Sequence, residues 1–161
     1  NAAKDNLIKN KLEDKVKLIL TDGLENINPN DYDVIILAGM GGHTISNIIS
    51  SKKFKGRYII HSTTSLEIVR NCISNNGMKI INEIIVKEGK IFNIIMEVIP
   101  GKKSLSQKEL YLGPSLINKD KNYTKPYYLY LLNKIIKNIE QSNNSKLKAK
   151  ERKWLEETLW N

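Results

Sequence analysis

The chain has 161 residues, 40% of them hydrophobic and 27% charged, and its 26 Lys plus Arg against 17 Asp plus Glu give a formal net charge of +9. That is apolar material for one domain, or one domain with an appendage, and it excludes wholesale disorder. A single cysteine, Cys72, excludes disulfide scaffolds and multi-cysteine zinc sites, and no apolar run approaches the roughly 18 residues of a membrane span, so the expected setting is the cytoplasm.

Ala2, Ala3, Leu7, Ile8 and Leu12 follow helical spacing almost from Asn1, as if the chain were entered mid-fold. Val16-Lys17-Leu18-Ile19-Leu20 reads as a short strand ending at Thr21-Asp22-Gly23. A polar loop with Asn28-Pro29-Asn30-Asp31 leads to Asp33–Ala38, a run apolar on both faces, as a central parallel strand requires. Gly39-Met40-Gly41-Gly42 leaves that strand, and Ile45, Ile48 and Ile49 at i, i+3 and i+4 predict an amphipathic helix. Arg57–His61 is the next buried strand. Thr64-Ser65-Leu66-Glu67 has the spacing of a capping box that opens a helix with Leu66, Val69 and Ile73 on one face, stopped by Asn76-Gly77. Met78–Lys87 and Ile91–Ile99 are β-rich runs joined by Glu88-Gly89-Lys90, at hairpin spacing. The expected fold is therefore α/β, a mixed sheet with helices on its faces and its last strand reversed.

Pro100-Gly101-Lys102-Lys103 reads as a boundary between residues 1–100 and 101–161. Beyond a short segment around Leu110–Pro114, Pro126 suits the first position of a helix in which Tyr128, Leu132, Ile135 and Ile139 repeat at 4, 3, 4, a coiled-coil seam. Asn143-Asn144-Ser145 breaks it, and Leu147, Trp154, Leu155 and Leu159 are the apolar positions of a second helix, so an antiparallel helical hairpin is expected. The charge belongs to this part: residues 1–100 hold 13 basic and 11 acidic side chains, residues 101–161 hold 13 and 6.

Glycines at the C-terminal end of a strand let a ligand approach the backbone, and the following helix offers free N–H groups. A dinucleotide site of the form G-x-G-x-x-G would need a third glycine where Thr44 stands, and the Gly-Lys-Ser/Thr of a P-loop is absent. Residue chemistry alone leaves Gly39–Gly42 open as a structural turn or a ligand site. Asp22-Gly23, at the end of a neighbouring strand, should face the same crevice, where the carboxylate can accept from an adenine amine or a ribose hydroxyl; the plainer reading is an Asp-Gly turn. His61, at a strand end, reads by itself as a hydrogen-bonded structural histidine and His43 as a helix-start residue. One cysteine and two separated histidines give no support to a metal site.

These motifs resemble the TrmK family of bacterial tRNA adenine-N1 methyltransferases. Thr21-Asp22-Gly23-Leu24 stands for the family's G-D-G-L, Ala38-Gly39-Met40-Gly41-Gly42 for its A-G-M-G-G and Gly113-Pro114-Ser115-Leu116 for its G-P-x-L. The resemblance covers the whole chain and implies a Rossmann-like class I methyltransferase sheet followed by a coiled-coil hairpin. The implied activity is transfer of the methyl of S-adenosylmethionine to N1 of adenine 22 in tRNA. It carries over cofactor-binding roles to Asp22, Gly23, Ala38, Gly39 and Met40, and catalytic positions to Met40, Gly41 and His61. It also implies that Asn1 falls at the helix after the family's second strand, so that the main cofactor loop and the ribose-binding acid lie outside this chain. The expectation is then a sheet with a gap and no S-adenosylmethionine binding detectable by calorimetry. Where the family has Gln-Pro-Asn after the fifth strand, this sequence has His61-Ser62-Thr63.

The implied partner is tRNA, met through the basic tail and through rings of Tyr123, Tyr127, Tyr128 and Tyr130 on which an unpaired base can stack; the hairpin also allows a homo-oligomer. Two other readings stand beside this one: a non-catalytic RNA- or partner-binding module, favoured by the His61-Ser62-Thr63 departure, and a class I methyltransferase with a different acceptor.

Overall fold

The computed structural model describes residues 2–142 and 148–160. Strands β1 (Val34–Met40), β2 (Arg57–Ser62), β3 (Met78–Glu88) and β4 (Ile91–Pro100) form one sheet in the order β1-β2-β4-β3. β1 and β2 run parallel, with Ile36 opposite Ile59, and β4 runs antiparallel to both β2 and β3. The reversed last strand is thus present, and it is the only reversal in the sheet. Helices α1 (Ala2–Lys9), α2 (Gly42–Ser51), α3 (Leu66–Asn75), α4 (Gln107–Leu112), α5 (Lys121–Ser142) and α6 (Ala149–Trp160), with short 3-10 turns at Pro29–Asp31 and Leu116–Asn118, complete the described elements, and none is long and apolar enough to cross a membrane.

The apolar stripes read from the sequence meet in one core. Ile45 and Ile49 of α2, Val69 and Ile73 of α3, and Ile60, Met96 and Val98 of the sheet are buried together. Leu112, Leu116, Tyr128, Leu132, Ile135 and Leu155 belong to the same cluster, with Ile139 and Trp154 packed against it, so the C-terminal helices share the sheet's core. Asn143-Asn144-Ser145 and Leu147 lie outside the described residues.

Four local expectations are corrected. Val16–Leu20 is not a strand: it pairs with no other strand among the described residues, and Leu18, Ile19 and Leu20 are exposed. A strand exists only by its ladder, and β propensity without a neighbour leaves an open segment. For the same reason β1, read as central, is an edge strand here, with Val34 44% and Ile36 68% exposed. The helix expected to open at Pro126 begins at Lys121, because the Asp120 carboxylate accepts from the Asn122 and Tyr123 N–H groups at 2.8 and 3.3 Å and caps it five residues earlier; Pro126 lies inside the helix. The capping box at Thr64 does not form. α3 starts after Ser65, which is left-handed (φ 54°), and the Thr64 hydroxyl instead accepts from Gly42 N–H at 3.4 Å.

Several contacts tie the tail to the sheet, among them Lys119 Nζ donating to Asn82 Oδ1 at 2.9 Å. The Tyr123 hydroxyl accepts from Ile85 N–H (2.6 Å) and lies 3.3 Å from Ile85 O, covering the free edge of β3. Arg70 and Glu83, both fully buried, pair at 2.9 Å; Arg70 also donates to Leu110 O and Tyr111 O, and Glu83 accepts from Ser115 N–H. The Gly113-Pro114-Ser115-Leu116 turn is folded around this pair. A Cβ on Gly113 (φ +101°) would stand 2.7 Å from a Glu83 oxygen, which only glycine avoids.

Candidate functional site

The site begins where β1 ends. Its ladder with β2 slips between Ala38 and Met40, with Gly39 (φ +77°) in the extra place; nothing lies within 4 Å of where a Gly39 side chain would point. Gly41 then caps α2 with no side-chain hydrogen bond, and the helix's first N–H, that of Gly42, donates to Thr64 in the turn beside it. That turn is Ser62-Thr63-Thr64, at the end of β2. Thr63 N–H donates to Met40 O at 3.0 Å, and the Ser62 hydroxyl closes the turn on Thr64 O at 2.6 Å. The approach is tight at Gly42, where a Cβ would stand 2.7 Å from Ser65 O and 2.8 Å from Thr64 O. Met40, Gly41, Gly42 and Ser62–Thr64 therefore form a single joined wall at the carboxyl ends of two parallel strands, the usual ligand side of an open α/β sheet.

Ala38 is exposed and stands opposite His61 in the ladder. His61 is half-buried, and its Nε2 lies 3.1 Å from the Asn93 Oδ1 at the start of β4. Asp22 and Gly23 are placed differently. Gly23 packs on Ile48, midway along α2, and Lys52 donates to Glu25 O and Ile27 O at 2.5 and 2.8 Å, pinning this segment to the flank of α2. The Asp22 carboxylate is exposed, and no hydrogen bond joins Asp22 or Gly23 to Ala38–Gly42 among the described residues. His43 is exposed in the first turn of α2. Among the described residues no group of three or more His, Cys, Asp or Glu side chains could hold a metal ion.

On the other side of the wall lies a cavity of about 560 Å³, bounded by Ser62–Glu67, the first residues of β4 and the face of α5 that carries Tyr127, Tyr130 and Lys134. Phe92, which the sequence reading passed over, brings its ring to 5.2 Å from Tyr130 and 5.9 Å from Tyr127. Its place inside a β-rich run gave no sign that it faces a helix thirty-odd residues on. The four tyrosines of α5 have separate fates: Tyr123 clamps β3, Tyr127 and Tyr128 are buried, and Tyr130 stands at the cavity with 39% of its surface exposed. Burial pushes the Tyr127 phenol up, with the Arg70 guanidinium opposing in part.

Three comparisons bear on these features. The TrmK family, described as tRNA (adenine(22)-N(1))-methyltransferase, matches residues 1–160. A candidate tRNA methyltransferase of Mycoplasma genitalium, MG248, is 34% identical over 141 residues, which cover 82% of this chain and 63% of that protein; the chain thus spans less than two thirds of that relative. The crystal structure of Streptococcus pneumoniae Sp1610, a candidate tRNA (m1A22) methyltransferase, superposes with a TM-score of 0.86 at 23% identity over 98% of this chain and 76% of the other. The same protein in complex with S-adenosyl-L-methionine gives a TM-score of 0.84 at 23% identity over 98% and 75%.

Proposed function

This chain belongs to the TrmK family, the tRNA (adenine(22)-N(1))-methyltransferases, and from that premise we propose that the protein methylates N1 of adenine 22 in tRNA with S-adenosylmethionine as the methyl donor. The observation that carries the reading is the bare-backbone turn Gly39–Gly42 joined to Ser62–Thr64 at the carboxyl ends of β1 and β2. The residues present fit an adenosyl group. Gly39 leaves open space where a side chain would stand, and the Asp22 carboxylate is free to accept from an amine or hydroxyl.

When bound, S-adenosylmethionine supplies an electrophilic methyl carbon. The N1 lone pair of neutral adenine needs no base to expose it, so the chain's work is positioning and exclusion of water. N1 lies on the Watson–Crick edge, so the base must be held free of a Watson–Crick partner. In this reading Met40 and Gly41 line the space the base enters, and Asp22, Gly23, Ala38 and Gly39 lie on the cofactor side. His61, oriented by Asn93, stands at the strand end where the family has glutamine. Exposed Lys125, Lys134 and Lys137 of α5 support contact with tRNA phosphates.

The test uses the full-length protein and unmodified tRNA carrying adenine or guanine at position 22. One methyl at N1 of adenine 22, absent from the guanine transcript, is expected; no product, or a methyl elsewhere, overturns the reading. Asp22→Ala should raise the KM for S-adenosylmethionine roughly tenfold or more, the worth of a hydrogen bond to a charged group. Met40→Ala should lower kcat with that KM unchanged.

A further inference from the structure

We propose that the cavity between Ser62–Glu67 and α5 is a pocket for a second, unpaired nucleobase of the RNA, adjacent to the adenine that is methylated. This rests on the methyltransferase reading above for the position of that adenine, and on the cavity's own chemistry for its occupant.

The cavity's 560 Å³ lies within the range of about 300–1,000 Å³ that holds small organic groups. Its aromatic surface comes from three separate segments, Phe92 of β4, Tyr111 of α4 and Tyr127 and Tyr130 of α5. Tyr127 is 4% exposed and forms the floor. The Tyr111 ring packs 6.3 Å from Trp154 and Lys87 Nζ sits 5.5 Å from the centre of the Phe92 ring, so the ring left to receive a stacked group is Tyr130. Around it stand groups suited to the rest of a nucleotide: the Asn93 and Asn138 amides, able to donate and accept along a base edge, and the Lys134 and Lys148 ammonium groups for phosphate. Among the described residues of the lining Glu67 is the one carboxylate, against Lys134 and Lys148, so their balance is positive. An aromatic platform with amides and cations at its margin is how proteins hold splayed bases, and a base still stacked in a helix does not reach such a ring.

The location ties this pocket to the chemistry. Ser62–Ser65 is at once the cavity's wall and the turn hydrogen-bonded to Met40 and Gly42. A base on Tyr130 and a base against Met40 are thus separated by one turn of chain. The occupant is accordingly a nucleotide close to the target along the RNA.

The experiment measures binding of unmodified tRNA to full-length protein by fluorescence anisotropy, with methylation assayed in parallel. Tyr130→Ala is expected to weaken tRNA binding roughly 5- to 150-fold, the range of a lost base–aromatic stack, while S-adenosylmethionine affinity is unchanged. Tyr130→Phe, which keeps the ring, should restore tRNA affinity. Lys134→Ala should reduce the slope of log affinity against log salt by about one. Wild-type tRNA affinity in Tyr130→Ala with methylation intact overturns the pocket alone, and so does a Tyr130→Phe variant as weak as the alanine, because the hydroxyl would then be the contact. A wild-type protein that methylates nothing, yet shows the Tyr130 ring dependence, removes the activity and keeps the pocket.

Discussion

The guanidinium of Arg70 and the carboxylate of Glu83 are both wholly buried, and each makes further hydrogen bonds to backbone between Leu110 and Leu116, while Arg70 Nη2 is buried without a hydrogen bond among the described residues. Removing one member of such a pair strands the other charge in the interior. Arg70→Met should therefore cost about 3–5 kcal/mol, read as a shifted urea midpoint, and Arg70→Met/Glu83→Leu should recover part of it. Recovery stays incomplete because Ser115 N–H loses its acceptor. Gly113→Ala should be of the same order, since its Cβ meets both partners and its φ of +101° disfavours any side chain. Half of this anchor was legible: Arg70 sits four residues after Leu66 and three before Ile73, on the stripe that faces the core. Glu83 was not. The ladder of β3 shifts register between Ile80 and Asn82, and the bulge turns the inward positions from the even residues Met78 and Ile80 to the odd Glu83, which strict alternation cannot foresee.

Helix α4 shows how a short element is held by its first turn. Ser106 accepts from Glu109 N–H at 3.2 Å, and Glu109 accepts back from Ser106 N–H at 2.8 Å, a complete capping box at a Ser-x-x-Glu that the sequence reading overlooked. The Ser106 N–H holds the Glu109 carboxyl below the usual carboxylate range, helped by the Ser106 hydroxyl and Lys103 against partial desolvation. A depressed carboxyl adds stability at neutral pH, and that stability is lost as pH falls through the folded-state value. Glu109→Gln is thus expected to cost up to about 1 kcal/mol at pH 7, with the gap to wild type closing on acidification, measured by urea unfolding across the acid range. Elements whose signal is local and whose partner is next in sequence were readable: the β3–β4 hairpin and the amphipathic α2 and α3 stand within a residue or two of expectation. Val16–Leu20 and the edge position of β1 were not, because ladder partners are a property of the assembled sheet and not of the run itself.

The whole molecule has one core, and several of its phenols lie inside it. Burial pushes the Tyr58 hydroxyl up to about 12, and burial drives Tyr111 and Tyr128 higher still. The folded state keeps these phenols protonated where the unfolded chain begins to ionise near pH 10, so this stability is intact below about pH 10 and is lost as pH rises toward the folded-state values. The Tm should fall steeply over that range. Tyr58→Phe, which removes a buried hydroxyl with no partner among the described residues, should keep the neutral-pH Tm and make the alkaline fall shallower.

The +9 charge is carried mainly by a tail that shares the sheet's core, so the cationic surface and the Met40 wall form one body. That gives the proposed base pocket a metrological consequence. In that proposal, a turn clamped to Met40 and Gly42 on one side and open to Tyr130 on the other would act as a fixed gauge of the gap between two nucleotides. On the proposed reading selection would then fall on the flexibility of the RNA: a strand with one nucleotide too many between target and neighbour could not present both, however well its phosphates match the lysines.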